Sequence, residues 1–392
     1  MRILLTGELK LAPDTANGRA GQLRGYYPSP LRKSIQMALI AFQCCRLGLV
    51  REPRFTYHAS DRAALEVETQ GKSSRFQPGE MWMGLRFTVL ASGSAGNATL
   101  VEADGFGVLI DVGLGPRQLA SRLSTAGLSW SDVHAVLLTH IHADHWKDRT
   151  FAHLHRRGVL LYCHPEHDNA LREAGLAFAR LSEAGLVRVF SAGESFDLSP
   201  GLRCRALPVR HDGGATFGFR LDGAPDLFGR AASLAYAADL GCWNDELAAA
   251  LADVDLLAVE FNHDVELEYA SGRMPQLIAR VLGDEGHLSN EQAGELVRAV
   301  LTRSAPGRLK HVVQLHLSRE CNRPRLARAA GLAALAEFAG VMLHTADQDT
   351  PGETLHLGRS TPARQRRRQT GQRRSAPAAI AQPWLPGFGD AG

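Results

Sequence analysis

The sequence predicts an α/β protein that places its chemistry at the ends of its strands. Three observations carry that expectation. From Leu85 onward, short apolar runs of strand length alternate with turns and with segments whose apolar residues recur at helical spacing. Several of those runs end in a histidine or an aspartate. One of them, Val133 to Leu138, leads directly into Thr139-His140-Ile141-His142-Ala143-Asp144-His145, three imidazoles and one carboxylate within six positions.

Taken in order, residues 1 to 82 show weak periodicity, scattered Pro and Gly and one helical candidate from Leu31 to Leu47. The pattern changes at Met81-Trp82-Met83-Gly84, so the functional protein is expected to start near Met83 or Met81. On this reading 1–82 is a poorly ordered extension or a product of start-codon choice. Strands follow at Leu85 to Leu90, Ala98 to Ala103 and Gly107 to Asp111, then a helix at Pro116 to Ala126. Between the first two strands, Ser92-Gly93-Ser94-Ala95-Gly96-Asn97 reads as a hairpin turn, or as a nest of backbone N–H groups suited to a phosphate.

After the His/Asp cluster come a helix at Phe151 to Arg157 and a strand at Val159 to Cys163. His153, His155, His164 and His167 fit no ligand pattern and are expected at the surface or in turns. Leu202 to Val209 alternates apolar and polar residues and delivers His211; Phe217 to Leu221 is its hairpin mate. Ser233 to Gly241 ends in Asp239, Leu256 to Glu260 runs into Phe261-Asn262-His263-Asp264, and Val312 to Ser318 places His316 in the last strand of the kind. Helices at Ser289 to Thr302 and Arg323 to Ala339 supply an outer layer.

Composition sets the limits. With 392 residues, 45% of them apolar, the chain can bury a large core, and a net charge of +3 ties any nucleic-acid argument to where the cations lie. Six cysteines without a C-x-x-C pair fit free thiols in a reducing compartment. No run approaches the roughly 18 apolar residues of a membrane span, and no secretory h-region follows Met1, which points to a soluble, cytoplasmic protein without a membrane partner.

His140 and His142 face one way along an extended segment, and a turn into helix would bring Asp144 and His145 to the same volume. Such nitrogen and oxygen donors suit zinc, manganese or iron better than magnesium or calcium. With His211, Asp239 and His316 there are seven candidate ligands, enough for two divalent ions.

Asp111, the His-x-His-x-Asp-His run, His211, Asp239 and His316 resemble, in order, the five motifs of the metallo-β-lactamase superfamily, over about Leu85 to Gly358. The resemblance implies an αββα four-layer sandwich in a catalytic domain spanning 83–358. It also implies one ion on His140, His142 and His211, a second on Asp144, His145 and His316, a bridging Asp239, and Asp111 orienting a ligand. Zinc β-lactamases carry Cys where Asp239 stands, and Cys242 comes three residues late, so β-lactam hydrolysis is not expected.

More narrowly, Ser92 to Asn97, Glu260-Phe261-Asn262-His263-Asp264, Gly286-His287-Leu288-Ser289-Asn290 and His316 to Asn322 look like the WalJ (YycJ) group, related to PhnP-type phosphodiesterases. That likeness implies a 5′-to-3′ DNA exonuclease using a metal-bridging hydroxide, with Asp144 orienting the nucleophile and His287 or His263 protonating the leaving oxygen. Ser94, Asn97, Asn262, Ser318 and Asn322 would then contact substrate. A small-molecule metallo-hydrolase (cyclic phosphodiesterase, lactonase or thioesterase) and a non-catalytic nucleic-acid-binding protein are the competing readings.

The C-terminal stretch 359–392 is a different composition, with seven arginines from Arg359 to Arg374 and no acid among them. It reads as a disordered basic tail suited to DNA phosphates. At its end Gln382, Leu385 and Phe388 loosely resemble the peptides that dock on sliding clamps.

Overall fold

The structure, a computed structural model, describes residues 83–226 and 228–359. The N-terminal extension and the expectations for Arg364 to Arg374, Gln382, Leu385 and Phe388 lie outside the described residues. The first sheet is built from β1 (Met83–Ala91), β2 (Ala98–Ala103), β3 (Phe106–Ile110), β4 (Ala135–Leu137), β5 (Leu160–Cys163), β6 (Val187–Val189) and β14 (Leu355–Arg359), in the order β14-β1-β2-β3-β4-β5-β6. The second holds β7 (Ser195–Ser199), β8 (Leu202–Val209), β9 (Thr216–Pro225), β10 (Ala231–Ala237), β11 (Leu256–Glu260), β12 (His311–Leu315) and β13 (Met342–Thr345), in the order β13-β12-β11-β10-β9-β8-β7.

The two sheets share one design. From β14 to β3, and from β7 to β10, neighbours run antiparallel; from β3 to β6, and from β10 to β13, they run parallel. Parallel strands bring their C-terminal ends to one edge, where ligand sites of open α/β sheets form.

Alternation along the strands makes the layers. Leu137, Leu234, Tyr236 and Leu315 point between the sheets with Phe87, Val101 and Phe219. Their neighbours Ala235, Ala237, Leu257 and Val259 face α5 (Asp245–Leu251), α8 (Asn290–Arg303) and α9 (Pro324–Leu335). On the other side Leu100, Leu109, Val136 and Leu138 face α1 (Pro116–Thr125), α2 (Asp148–Arg157) and α4 (Leu176–Glu183), with α3 (His167–Ala174) adding Leu171. This is the expected αββα sandwich. Because both faces of the central strands are covered, a run such as Leu256–Glu260 is apolar throughout. Each buried Leu contributes about 2 kcal/mol of apolar transfer.

Some expected boundaries move. The Val133 to Leu138 strand shrinks to Ala135–Leu137, β10 stops two residues before Asp239, and β12 stops just before His316. Nor is β12 the last strand, since β13 and β14 complete the two sheet edges. Two short helices, α6 (Val265–Tyr269) and α7 (Pro275–Leu282), fill the connection from β11 to α8. Among the described residues no helix is long and apolar enough to cross a membrane. Cys163, Cys204, Cys242 and Cys321 are free thiols.

Candidate metal centre

The centre starts from Asp111, fully buried one residue past β3. Its carboxylate accepts the Thr139 N–H and the Thr139 hydroxyl, each at 2.9 Å, and so pins the end of β4 to the end of β3. Beyond Thr139 the chain does not enter a helix, contrary to expectation. His145 N–H donates to His142 O at 3.0 Å, closing a turn, and α2 begins only at Asp148. The turn, rather than helical periodicity, brings Asp144 and His145 to the side of His140. It is held from outside by Asn97 N–H on Asp144 O (2.8 Å) and Val112 N–H on His145 O (2.9 Å). Gly113 is required there, because a Cβ would overlap the Asp144 carbonyl.

All seven predicted ligands converge. Donor atoms of His140, His142 and His211 lie within 4.8 Å of one another, as do those of Asp144, His145 and His316, and those of His140, His145 and Asp239. Asp239 also groups with His316, which places it between the two sets. These residues come from the ends of β4, β8, β10 and β12, thus from both sheets.

The imidazoles are oriented for ligation. Nδ1 of His145 donates to Asp111 Oδ2 (2.7 Å), that of His211 to Gly286 O (2.8 Å), that of His316 to Glu260 Oε1 (3.0 Å), and that of His140 to Thr139 Oγ1 (3.0 Å). A proton fixed on Nδ1 leaves the Nε2 lone pair facing the centre, the arrangement that orients histidine ligands. His142 presents the opposite nitrogen: its Nδ1 lies 3.3 Å from His211 Nε2.

Two atoms test whether an ion fits. His140 Nε2 and Asp239 Oδ2 are buried with no hydrogen bond, although Asp239 Oδ2 lies 3.1 Å from His145 Nε2. Buried polar atoms in that condition cost free energy unless something binds them. Pairs of lone pairs aimed at a common point are what a cation satisfies. The donor set therefore fits two divalent ions.

The protons redistribute accordingly. Burial opposes charge on His316, yet Asp239, Asp144 and Glu260 hold its pKa up at about 10, and His145 is likewise raised against burial by Asp239 and Asp111. Asp144 stays far below the ordinary carboxylate range, since His145 and His316 outweigh its burial. His140 and His142 are pushed down by burial and by neighbouring imidazoles, which keeps them neutral and able to ligate.

Glu260 is the functional residue that sequence reasoning missed. Fully buried at the end of β11, it accepts from His287 Nδ1 (2.7 Å) and His316 Nδ1 (3.0 Å). Those two imidazoles overcome the burial and hold its pKa at about 2. The signal was present: Glu260 ends an apolar strand as Asp239 does. His287 keeps a side chain 20% exposed and is raised in pKa, against burial, by Glu260.

The remaining expected residues fall differently. His263 is fully buried, with neither ring nitrogen hydrogen-bonded, whereas His287 keeps part of its side chain exposed. Asn97, Asn262 and Asn322 are buried and use their amides on the scaffold: Asn97 on Asp144 and His145, Asn262 on Glu260 and His316 O, Asn322 on the carbonyls of Phe261 and Asn262. These amides hold ligands and loops in place. Ser318 accepts from Cys321 N–H, and only Ser94 is fully exposed.

The Ser92–Asn97 segment is a turn, not a phosphate nest. Gly93 N–H is spent on Asn97 Oδ1, Gly96 N–H on Gly93 O, and Gln348 packs over Gly93. His167, expected at the surface, is buried with Nε2 against Ala215 O (2.6 Å).

A water-activating metal pair at the C-terminal edge of an αββα sandwich defines a metal-dependent hydrolase. Residues 107–306, about half of the chain, match the beta-lactamase superfamily domain, and the chain belongs to that superfamily. It is similar to exodeoxyribonuclease YycJ of Bacillus anthracis, 31% identical over 264 residues covering 65% of this chain and 90% of YycJ. Similarity to exodeoxyribonuclease WalJ of Streptococcus pneumoniae is 28% over 262 residues, again 65% of this chain and 90% of the relative. Among solved structures, the metallo-beta-lactamase fold protein YhfI of Bacillus subtilis superposes with a TM-score of 0.49 at 17% identity, over 70% of this chain and 99% of YhfI.

Proposed function

We propose that the protein is a dinuclear phosphodiesterase that degrades DNA from an end, with 5′-to-3′ polarity. The observation that carries the reading is the convergence of His140, His142, Asp144, His145, His211, Asp239 and His316 with four of the imidazoles locked on Nδ1. The likeness to YycJ and WalJ over most of their length supports DNA as the substrate.

His140, His142 and His211 would hold one ion, Asp144, His145 and His316 the other, and Asp239 would touch both. Two such ions, of zinc, manganese or iron, would supply an acidified water and positive charge for the phosphate oxygens. Asp144, ionised and 22% exposed, would orient the attacking water. His287, with Nδ1 bound to Glu260, offers its other nitrogen to the leaving oxygen. The arginine-rich tail adds sequence-independent affinity for phosphates. Docking on a sliding clamp through Gln382, Leu385 and Phe388 is a second role we assign to the tail, and a cytoplasmic location belongs to the same proposal.

The test is metal-reconstituted protein against end-labelled single- and double-stranded DNA, with a cyclic nucleotide and a thioester as controls. Metal-dependent release of nucleotides from the 5′ end is expected, and Asp144→Ala or His142→Ala should abolish it while the unfolding midpoint stays near wild type. Turnover of the thioester or cyclic nucleotide without DNA cleavage would replace the reading with a small-molecule hydrolase.

A further inference from the structure

The helix α7 runs up to the metal ligands and is exposed over most of its surface. Met274 at its N-cap is 71% exposed, Leu277 is 38% exposed, and the Arg280 side chain is 56% exposed. Residues three apart on a helix are neighbours, so these three form one stripe. At 1.5 Å per residue it is about 9 Å long. Val281 is the buried residue of this helix, which leaves the stripe without a role in the core.

At the inner end of the stripe, Arg280 Nε donates to Asp212 Oδ2. The other Asp212 oxygen lies 3.5 Å from His211 Nε2 and 3.6 Å from His142 Nε2. Asp212 is itself fixed through its N–H on Glu285 O at 2.9 Å. A guanidinium carries five N–H groups. Only the Nε one has a protein partner among the described residues. Arg273 is spent on Glu268 and Glu320, while Arg210 lies 3.6 Å from Asp284 and 3.9 Å from Glu285.

A guanidinium pinned through one N–H and open through the others is a receptor for phosphate oxygens. The apolar edge behind it suits the face of an unpaired base. We propose that α7 is a rail for a single-stranded DNA end, with Arg280 holding the phosphate next to the one being cut and the adjoining base lying on Leu277 and Met274. The proposal rests on the phosphodiesterase reading. Stacked, paired bases of a duplex cannot spread on so short a surface, so the rail also makes the site prefer unpaired ends.

The experiment measures binding of an end-labelled, phosphorothioate single strand to the full-length, metal-loaded protein across a salt series. Wild type, Arg280→Ala, Arg280→Lys and Leu277→Ser are compared, with metal content, unfolding midpoint and sedimentation recorded for each. Arg280→Ala should weaken binding roughly tenfold, the loss of one charge-assisted contact. The slope of log affinity against log salt should fall by about 0.7, one phosphate on a single strand. The contribution of the tail cancels in that difference. Arg280→Lys should restore the slope, and Leu277→Ser should lower the preference for single over double strands.

Weaker binding with an unchanged slope would mean that Arg280 acts only through Asp212, and the rail is then wrong. A change in self-association in Leu277→Ser with unaltered DNA affinity would make the stripe an interface between copies, also against it. Wild type that neither binds the strand nor cleaves any diester would overturn the phosphodiesterase reading and the rail together. That result is distinct from the other two, in which wild type binds normally.

Discussion

Replacing Glu260 by Gln turns one oxygen of a fully buried carboxylate into an NH2 group and leaves the volume unchanged. Every neighbour of that carboxylate is a donor. Oε1 receives His287 Nδ1 (2.7 Å), His316 Nδ1 (3.0 Å) and Asn262 Nδ2 (3.2 Å), while Oε2 receives the N–H groups of Leu240 and Leu288, each at 3.2 Å. With the amide nitrogen in place of Oε2, two buried N–H groups lose their acceptor, at about 1–3 kcal/mol each. With the nitrogen in place of Oε1, the imidazoles must give up Nδ1 protons, and a proton moved to Nε2 removes the lone pair that His316 needs for an ion. The charge that balances His287 and His316 disappears in both cases. Glu260→Gln is therefore expected to lose about 3–5 kcal/mol of stability, the range for breaking a buried charged pair. It should also bind the ion of Asp144, His145 and His316 ten- to a hundredfold more weakly, roughly the effect of losing an outer-shell partner. Urea unfolding reads the first quantity, and calorimetric metal titration with elemental analysis reads the second. Wild-type unfolding together with two ions at wild-type affinity would refute the role given to Glu260.

Four further outcomes follow from the same geometry. Because His316 is held up at about 10 from its ordinary 6.5, and His145 is raised too, an incoming ion must displace protons below about pH 10. Metal affinity should climb with pH between those values and level off above, and identical binding heats in buffers of different ionisation enthalpy would contradict this. In chelator-treated protein the His316 contribution to stability is fully present below pH 6.5 and is lost as pH rises through about 10, so its unfolding midpoint should fall over that interval. Gly213→Ala would drive a methyl into the His140 ring; loss of the ion on His140, His142 and His211 is expected with little change in the unfolding midpoint, and full metal content would show that the ring moves aside freely. His287→Ala should lower kcat on DNA by about 10²–10⁴-fold, the usual worth of a general acid, yet spare a p-nitrophenyl phosphodiester, whose leaving group needs no proton; equal losses on both would assign His287 to ligand support instead.

Much of this site was legible because its chemistry is written in residue types that strands rarely end on. His140, His142, Asp144 and His145 stand within six positions, and His211, Asp239 and His316 each follow a readable apolar run. The local path was less legible. A turn closed by one backbone hydrogen bond and a helix present the same four side chains in sequence, and only tertiary contacts from Asn97 and Val112 decide between them. The hydrogen bonds of Asn97, Asn262 and Asn322 were not legible for a related reason. An asparagine in a loop reads as an exposed donor, whereas these three satisfy carbonyls and ligands in buried loops, which no periodicity reports. The short edge strands β6 and β13 and the helices α6 and α7 escaped because they are short and few of their residues are buried in the core.

The feature least visible in the sequence is the backbone that aims the ligands. Asp111, Asp239 and His316 adopt positive φ, at 62°, 56° and 53°, each just beyond the end of a parallel strand. The other non-glycine residues of that kind among the described ones, Asp104 and Asp253, lie in connecting segments away from the centre. A left-handed residue costs on the order of 1 kcal/mol or more, and Asp and His are among the types that tolerate it best. Three such residues persist because the structure around them is over-determined: Asp111 by Thr139 and His145, His316 by the Ser92 hydroxyl on its N–H and by Glu260, Asp239 by complete burial between imidazoles. The reversal turns each side chain back over its own strand end, toward a point between the sheets. One of the three hangs from the first sheet and two from the second, so the spacing of the ligands is set by how the sheets pack. Leu137 and Leu315, which end the strands leading to His140 and His316, and Tyr236, next to last in the strand leading to Asp239, lie in that shared interior. The placement of the metal ligands is in this sense a property of the core beneath them.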